Sequence, residues 1–227
     1  MTTRGLLLDL DDTLYDYAPA ERRGRAAALA NVVRDTGLEH SHAAQLYDEA
    51  RARVKNRVTQ RGSSHSRLLY LHELAHASGR PAVLARVRDW ERAFWAEYLR
   101  GAELRPFARE LLVGWRARGH RVAIVTDMVL EVQLWKLQAL GLSELVDALV
   151  VSEEVAYDKP ALASFELAIE RLGVLREQCV VVGDSVQADG AAAVALGVPF
   201  YRVRGSQPGE EDGMTLEDVA RELGVAP

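Results

Sequence analysis

The chain has one cysteine, Cys179, so an intramolecular disulfide framework is excluded and a reducing compartment is expected. It lacks a strong charge of either sign: net charge is −5, and nothing in the composition points to a nucleic-acid polymer as partner. Long apolar runs are missing too. The N-terminus has one early arginine, Arg4, and the four-residue run Gly5-Leu6-Leu7-Leu8 before the first acid. That is too short for a membrane span or a signal peptide, and a soluble cytoplasmic protein is expected. No internal repeat and no low-complexity tract is found. What is present is ample core material: 48% hydrophobic residues in 227, enough for one large domain or a domain carrying an insertion.

The chain is organised around its first apolar run, which stops abruptly in Asp9-Leu10-Asp11-Asp12-Thr13. A short apolar run bounded by polar residues reads as a buried strand of a parallel sheet. An acidic turn capping the next helix is the simpler reading of the same residues. From about residue 19 to 100 the pattern is helical, with helices expected over 19–36, 42–60, 66–78 and 81–100. Breaks fall at Gly37, at Gly62-Ser63-Ser64 and at Gly79 before Pro81. Val83, Val87, Trp90, Phe94 and Tyr98 form an apolar stripe that reads as packing.

The texture changes near Leu104. Strands are expected at 122–126, 148–151, 179–183 and 199–203, alternating with helices at 106–118, 129–140, 160–173 and 187–196. A polar acidic loop from Ser206 to Gly213 follows, and Thr215 with Asp218 resembles a capping box for a closing helix. Such alternation implies an α/β fold: a Rossmann-like parallel sheet with helices on both faces, plus an inserted all-helical cap. Residues 1–15 and 104–227 would form the core and 16–103 the cap, seated over the carboxyl ends of the strands.

The strand ends then supply a constellation: Asp9, Asp11, Asp12 and Thr13; Thr126 and Asp127; Lys159; Gly183-Asp184-Ser185 with Asp189 beyond. Clustered carboxylates repel unless a cation sits among them, and oxygen-rich sites suit Mg²⁺. A hydroxyl, a lysine and helix N-termini complete a phosphate cradle.

With these motifs in this order, the chain resembles the haloacid dehalogenase-like (HAD) hydrolase superfamily, in its branch with a helical cap after the first strand. The resemblance rests on Asp9-Leu10-Asp11-Asp12-Thr13, Thr126, Lys159-Pro160, and Gly183-Asp184 through Asp189. It implies a phosphomonoester hydrolase acting through an aspartyl-phosphate on a small phosphorylated metabolite: a sugar or triose phosphate, phosphoglycolate or a nucleotide. Asp9 would be the nucleophile and Asp11 the general acid–base. Thr126 and Lys159 would hold phosphoryl oxygens. Mg²⁺ would be bound by Asp9, Asp184 and the backbone carbonyl of Asp11, with Asp189 orienting and Asp12 structural. The namesake dehalogenases lack an acid matching Asp11, so phosphate chemistry is favoured over carbon–halogen cleavage. Two departures stand out: Asp127 follows Thr126 where many relatives carry Asn-Gly, and Ala161-Leu162 replaces a common Asp-Pro pair after Pro160. His65 and Arg67, at the polar break in the helical segment, are candidates for contact with the far end of a substrate. A monomer or homodimer is expected.

Other readings compete. A phosphomutase would use the same core. A receiver-like phosphoacceptor module would also combine acids, a threonine and a lysine, but would not turn over. His72-Glu73-Leu74-Ala75-His76 fits the H-E-x-x-H zinc metalloprotease motif, with Glu91 or Glu97 as a conceivable third ligand, against the simpler reading of an ordinary helix of the cap.

Overall fold

A computed structural model describes residues 4–205 and 212–225. Five parallel strands form one sheet: β1 (Gly5–Leu8), β2 (Arg121–Thr126), β3 (Ala148–Val151), β4 (Cys179–Gly183) and β5 (Phe200–Arg202). Their order is β3-β2-β1-β4-β5, so β1 is central and pairs in parallel with β2 and β4. All four residues of β1 are buried, as a strand covered on both faces must be. Side chains alternate along it: Leu6 and Leu8 enter one hydrophobic cluster and Leu7 the other. The chain steps outward from β1 through β2 to β3, then crosses to β4 and β5. The reversal falls between β1 and β4, where open α/β sheets place their ligands.

Ten helices accompany the sheet among the described residues: α1 (Tyr17–Thr36), α2 (His40–Arg57), α3 (Arg67–Ala77), α4 (Val87–Arg100), α5 (Ala108–Ala117), α6 (Leu130–Ala139), α7 (Ser152–Val155), α8 (Ala163–Leu172), α9 (Ala191–Leu196) and α10 (Leu216–Glu222). The first four all lie between β1 and β2. The chain leaves and re-enters the sheet layer side by side, with Tyr15 bridged to Leu104 and the Arg105 N–H donating to the Leu14 carbonyl at 2.9 Å. The expected stripe on α4 is present: Val87, Trp90, Phe94 and Tyr98 are buried. One cluster runs unbroken from Leu6, Leu8 and Leu14 into Phe94, Trp95 and Leu71, so the helical insertion and the sheet share a core.

Sequence and structure differ locally. The helix expected from Pro160 starts at Ala163, and the Lys159–Pro160 peptide is cis. The helix expected over 187–196 opens with a wide turn at Val186–Gly190, in which the Gly190 N–H reaches back five residues to the Ser185 carbonyl. Such turns recur at functional sites because they redirect a side chain, here Asp189. The closing helix has its expected capping box, with the Asp218 N–H donating to Thr215 Oγ1 at 3.1 Å. Of the expected polar loop 206–213, residues 206–211 lie outside the described residues. No helix among the described residues is long and apolar enough to cross a membrane.

The contact between α1 and α4 depends on Gly24. A Cβ there would meet the Phe94 carbonyl oxygen at 2.8 Å and Tyr98 Cβ at 3.1 Å. Gly24→Val should therefore cost about 1–3 kcal/mol by overpacking, read as a lower urea midpoint at unchanged slope.

Candidate active site

Asp9 follows directly on β1, and its N–H donates to the Val182 carbonyl at 2.9 Å, extending the ladder to β4 by one residue. The carboxylate is 7% exposed. Lys159 Nζ donates to one oxygen at 2.6 Å and Thr13 Oγ1 to the other at 2.9 Å. Lys159 also donates to Asp189 Oδ1 at 2.7 Å and to the Val125 carbonyl at 3.2 Å, so all three ammonium protons are engaged. Gly183, the last residue of β4, makes this possible: a Cβ there would lie 2.3 Å from Asp189 Oδ2. Asp184 comes next, and its N–H donates to Thr13 Oγ1 at 3.1 Å.

Asp9, Asp184 and Asp189 each bring a carboxylate oxygen within 4.8 Å of the others. Burial, aided by Asp189 and Asp184 and opposed by Lys159, pushes the Asp9 carboxyl well above its ordinary value. Asp184 is pushed up to about 6, again by burial and by Asp189. For Lys159, burial works against the charge, but Asp189, Asp9 and Asp127 outweigh it and hold the ammonium above its ordinary value. The expectation that a cation must sit among the acids is thus met in part by this lysine. Three hard, partly desolvated carboxylates still form a donor set suited to Mg²⁺. The Asp11 side chain is not in that group.

Asp11 instead faces a set of residues to which the sequence reading assigned nothing. Lys136 Nζ, 1% exposed, donates to both oxygens of Asp11, at 2.7 and 2.9 Å. Gln133 Nε2 reaches one of them at 3.2 Å and Thr126 Oγ1 at 2.7 Å. The Tyr15 hydroxyl donates to Asp11, so the Tyr15–Tyr98 contact at 2.6 Å has Tyr98 as donor. Burial would raise the Asp11 carboxyl, but Lys136, Tyr15 and Gln133 together hold it below the usual carboxylate range. Gln133 and Lys136 lie one turn apart on α6, both buried. Two long polar side chains on the same face as buried Val132 and Leu137 were the only signal in the sequence. Tyr98 ends the α4 stripe, so that stripe does more than pack: it carries a hydrogen bond from the insertion to Asp11.

Thr126, at the end of β2, accepts from Gln133 and keeps its own hydroxyl proton to donate. Asp127 does not lie idle beside it. Its Oδ1 accepts from the Lys159 N–H at 2.9 Å, pinning the loop that carries the lysine. Asp12, in the left-handed region at φ 59°, accepts from the Tyr17 N–H at the start of α1, in keeping with a structural role.

A cleft of about 330 Å³ joins these groups, lined by Asp9, Asp11, Thr126, Lys159 and Asp184 on one side. His65 and Arg67 also line it. Both are engaged: His65 Nε2 meets Asp158 Oδ2 at 3.1 Å, and Arg67, 5% exposed, donates to Glu21 at 2.8 Å, to the His65 carbonyl at 2.7 Å and to the Tyr17 hydroxyl. His72 and His76 do lie together, with Nε2 atoms 3.2 Å apart. But Glu73 is paired with Arg53 and Arg57, Glu91 with Arg88, and Glu97 with Arg100. Among the described residues the three-acid group above is the one set of three or more His, Cys, Asp or Glu that converges, so the zinc reading has no third ligand.

Fold and site together define a parallel α/β hydrolase whose carboxylates converge at the switch point of the sheet. The chain belongs to the haloacid dehalogenase-like hydrolase family, whose model matches residues 3–197. It is 37% identical over 198 residues to a ribulose-1,5-bisphosphate 5-phosphatase from Halopiger xanaduensis, covering 85% of this chain and 81% of that one. It is 28% identical over 197 residues to a glyceraldehyde 3-phosphate phosphatase from Methanothermobacter thermautotrophicus, covering 86% and 83%. In fold it is similar to a 2-haloacid dehalogenase from Pseudomonas syringae, with a TM-score of 0.71 at 22% identity over 98% and 99% of the two chains. Its relatives place it among the family's phosphatases.

The Asp127 carboxyl is pushed up to about 6, chiefly by burial. The unfolded chain holds the ordinary value near 3.9. Between about pH 4 and 6 the native state therefore binds more protons, and stability falls as pH rises. The cost is fully expressed at pH 7, on the order of 1–3 kcal/mol. Asp127→Asn keeps an acceptor for the Lys159 N–H without that cost. It should raise the denaturation midpoint at pH 7 and leave it near the parent's at pH 4.

Proposed function

We propose that the protein is a Mg²⁺-dependent phosphomonoester hydrolase that forms an aspartyl-phosphate on Asp9 and acts on a small phosphorylated metabolite of the sugar- or triose-phosphate kind. The observation that carries this reading is the pairing of two carboxylates two residues apart, each in its own electrostatic setting. Asp9 is fixed by Lys159 and Thr13 with its oxygens at the metal-competent group, and Asp11 is held apart by Lys136. The phosphate substrates named for the relatives support the choice of substrate class.

In this reading Asp9 attacks phosphorus, the bond from phosphorus to the substrate oxygen breaks, and the departing oxygen takes a proton from the Asp11 carboxyl. Thr126 donates its hydroxyl proton to a phosphoryl oxygen, while Lys159 supplies positive charge beside it. Asp9 and Asp184, with Asp189 close by, would hold Mg²⁺, which would offset the repulsion between the anionic nucleophile and the anionic phosphate. Asp11 then takes a proton from the water that hydrolyses the intermediate. Its pairing with Lys136 favours the ionised form and so this base half of the cycle, and the proton taken from that water replaces the one passed to the departing oxygen in the first step. The helical insertion, residues 16–103, serves as the cap: it closes the cleft, excludes water and contacts the rest of the substrate.

Steady phosphate release from p-nitrophenyl phosphate should require Mg²⁺, stop in EDTA and return on adding the metal back. A single stoichiometric phosphorylation without turnover would point instead to a receiver-like module. Asp9→Asn should form no phosphoenzyme and release no phosphate.

Asp11→Asn should separate the two steps. General acid–base assistance is worth roughly 10²–10⁴-fold, and an alkyl phosphate should lose it in the first step. A p-nitrophenyl ester leaves with little protonation, so this variant should give a burst near one equivalent and then slow turnover. Intact mass after acid quench should show the phosphate adduct on Asp9. Equal slowing on both substrate types, with no burst and no adduct, would assign Asp11 another role.

A further inference from the structure

We propose that Arg51 and Lys55, on α2 of the insertion, form a subsite for a second phosphate group, so that the substrate is a bisphosphorylated metabolite. The inference rests on the phosphatase reading above and narrows its substrate class.

The two residues lie one turn apart on α2, are half-buried, and line the cleft that holds Asp9, Thr126 and Lys159. Like charges at this spacing repel one another along a helix. The same helix shows how such charges are otherwise handled. Arg53 pairs with Glu49 and Glu73, and Arg57 pairs with Glu73. Arg51 and Lys55, on the cleft side, have no carboxylate within ion-pair distance among the described residues. A third cation, Arg67, lines the same cleft; Glu21 balances it, but its Nε–H has no hydrogen-bond partner. The crowding is felt at Lys55, whose amine is held below its ordinary value by burial and by Arg51 and Arg67, against the weaker pull of Asp158 and Glu21.

The cleft is therefore divided by charge. Carboxylates with Lys159 occupy the sheet side, and two unpaired cations face it from α2. A monophosphate with a neutral tail would leave those cations unmatched in a partly desolvated space. A second phosphate dianion would meet both, through the charge-assisted hydrogen bonds that arginine and lysine make to phosphate oxygens. A carboxylate would neutralise only one. The cleft volume, about 330 Å³, lies in the range of small-ligand sites.

The test compares three-, five- and six-carbon sugar bisphosphates with their own monophosphates, with 3-phosphoglycerate as the phosphate–carboxylate case. Turnover is measured with Mg²⁺, and binding is measured by calorimetry on the Asp9→Asn protein. At least one bisphosphate should exceed its monophosphate tenfold or more in kcat/KM and in affinity. Arg51→Gln and Lys55→Met should each lower that ratio about tenfold, mainly through KM, and the double variant should bring it near one. Arg51→Lys should retain part of it. Arg92→Gln, at an exposed ion pair on α4, should leave the ratio as it is. Equal binding of every matched pair overturns the subsite whether or not turnover is seen, and so does stronger binding of 3-phosphoglycerate than of any bisphosphate. Preferential binding of a bisphosphate without phosphate release from any substrate would support the subsite and overturn the phosphatase reading instead.

Discussion

The structure depends on keeping four carboxylates close together at the carboxyl edge of a sheet without a compensating loss of stability. Asp9, Asp11, Asp184 and Asp189 all approach the switch point between β1 and β4. Buried, unpaired charges of one sign would be untenable there. Two buried lysines resolve the conflict in different ways. Lys159 bridges Asp9 and Asp189, and Lys136 grips both oxygens of Asp11. The four acids are thereby split into a metal-competent group and a separate, ionised carboxylate, and this division makes two chemical roles available from one short motif.

Each lysine needs its own scaffold. Lys159 follows a loop whose backbone is tied to Asp127, and Asp189 reaches it because the wide turn before α9 swings inward over Gly183. Lys136 stands on α6 beside Gln133, which joins Asp11 to Thr126. Loop residues carry most of the chemistry and regular elements set their positions. The departure at Asp127 from the more common asparagine is only partly compensated by this scaffold: the carboxylate serves as an acceptor beside the lysine charge, yet burial still raises its carboxyl.

The insertion is bound to the sheet layer by more than a hinge. Its hydrophobic cluster is continuous with the face of β1 that carries Leu6 and Leu8, and Tyr98 passes a hydrogen bond through Tyr15 to Asp11. Any change in the seating of α4 is thus felt at Asp11 directly. Position of the helices and state of the acid are coupled through a chain of two hydroxyls, a short and specific link.

Much was legible in the chain by itself. The apolar runs of β1 and β4 are fully buried strands, those of β2 and β3 nearly so, and all four announce themselves by composition. The glycine breaks at Gly37 and Gly79 and the stripe on α4 follow helical geometry, and Asp9, Asp11, Thr126 and Asp184 at strand ends, with Lys159 on the loop beyond β3, are gathered by the topology. These features are local, or follow from strand order, so sequence determines them. Lys136, Gln133, Arg51 and Lys55 are different. Each is one polar residue on a helix, and nothing local separates an inward lysine at 136 from an outward arginine at 57. Likewise, His72-Glu73-Leu74-Ala75-His76 satisfies a metal motif in one dimension but finds no third ligand in three. Only the tertiary packing of α2, α4 and α6 decides which charges are desolvated and which partner they meet. Coulombic pairing depends on through-space distance and burial, neither of which the linear spacing of residues encodes.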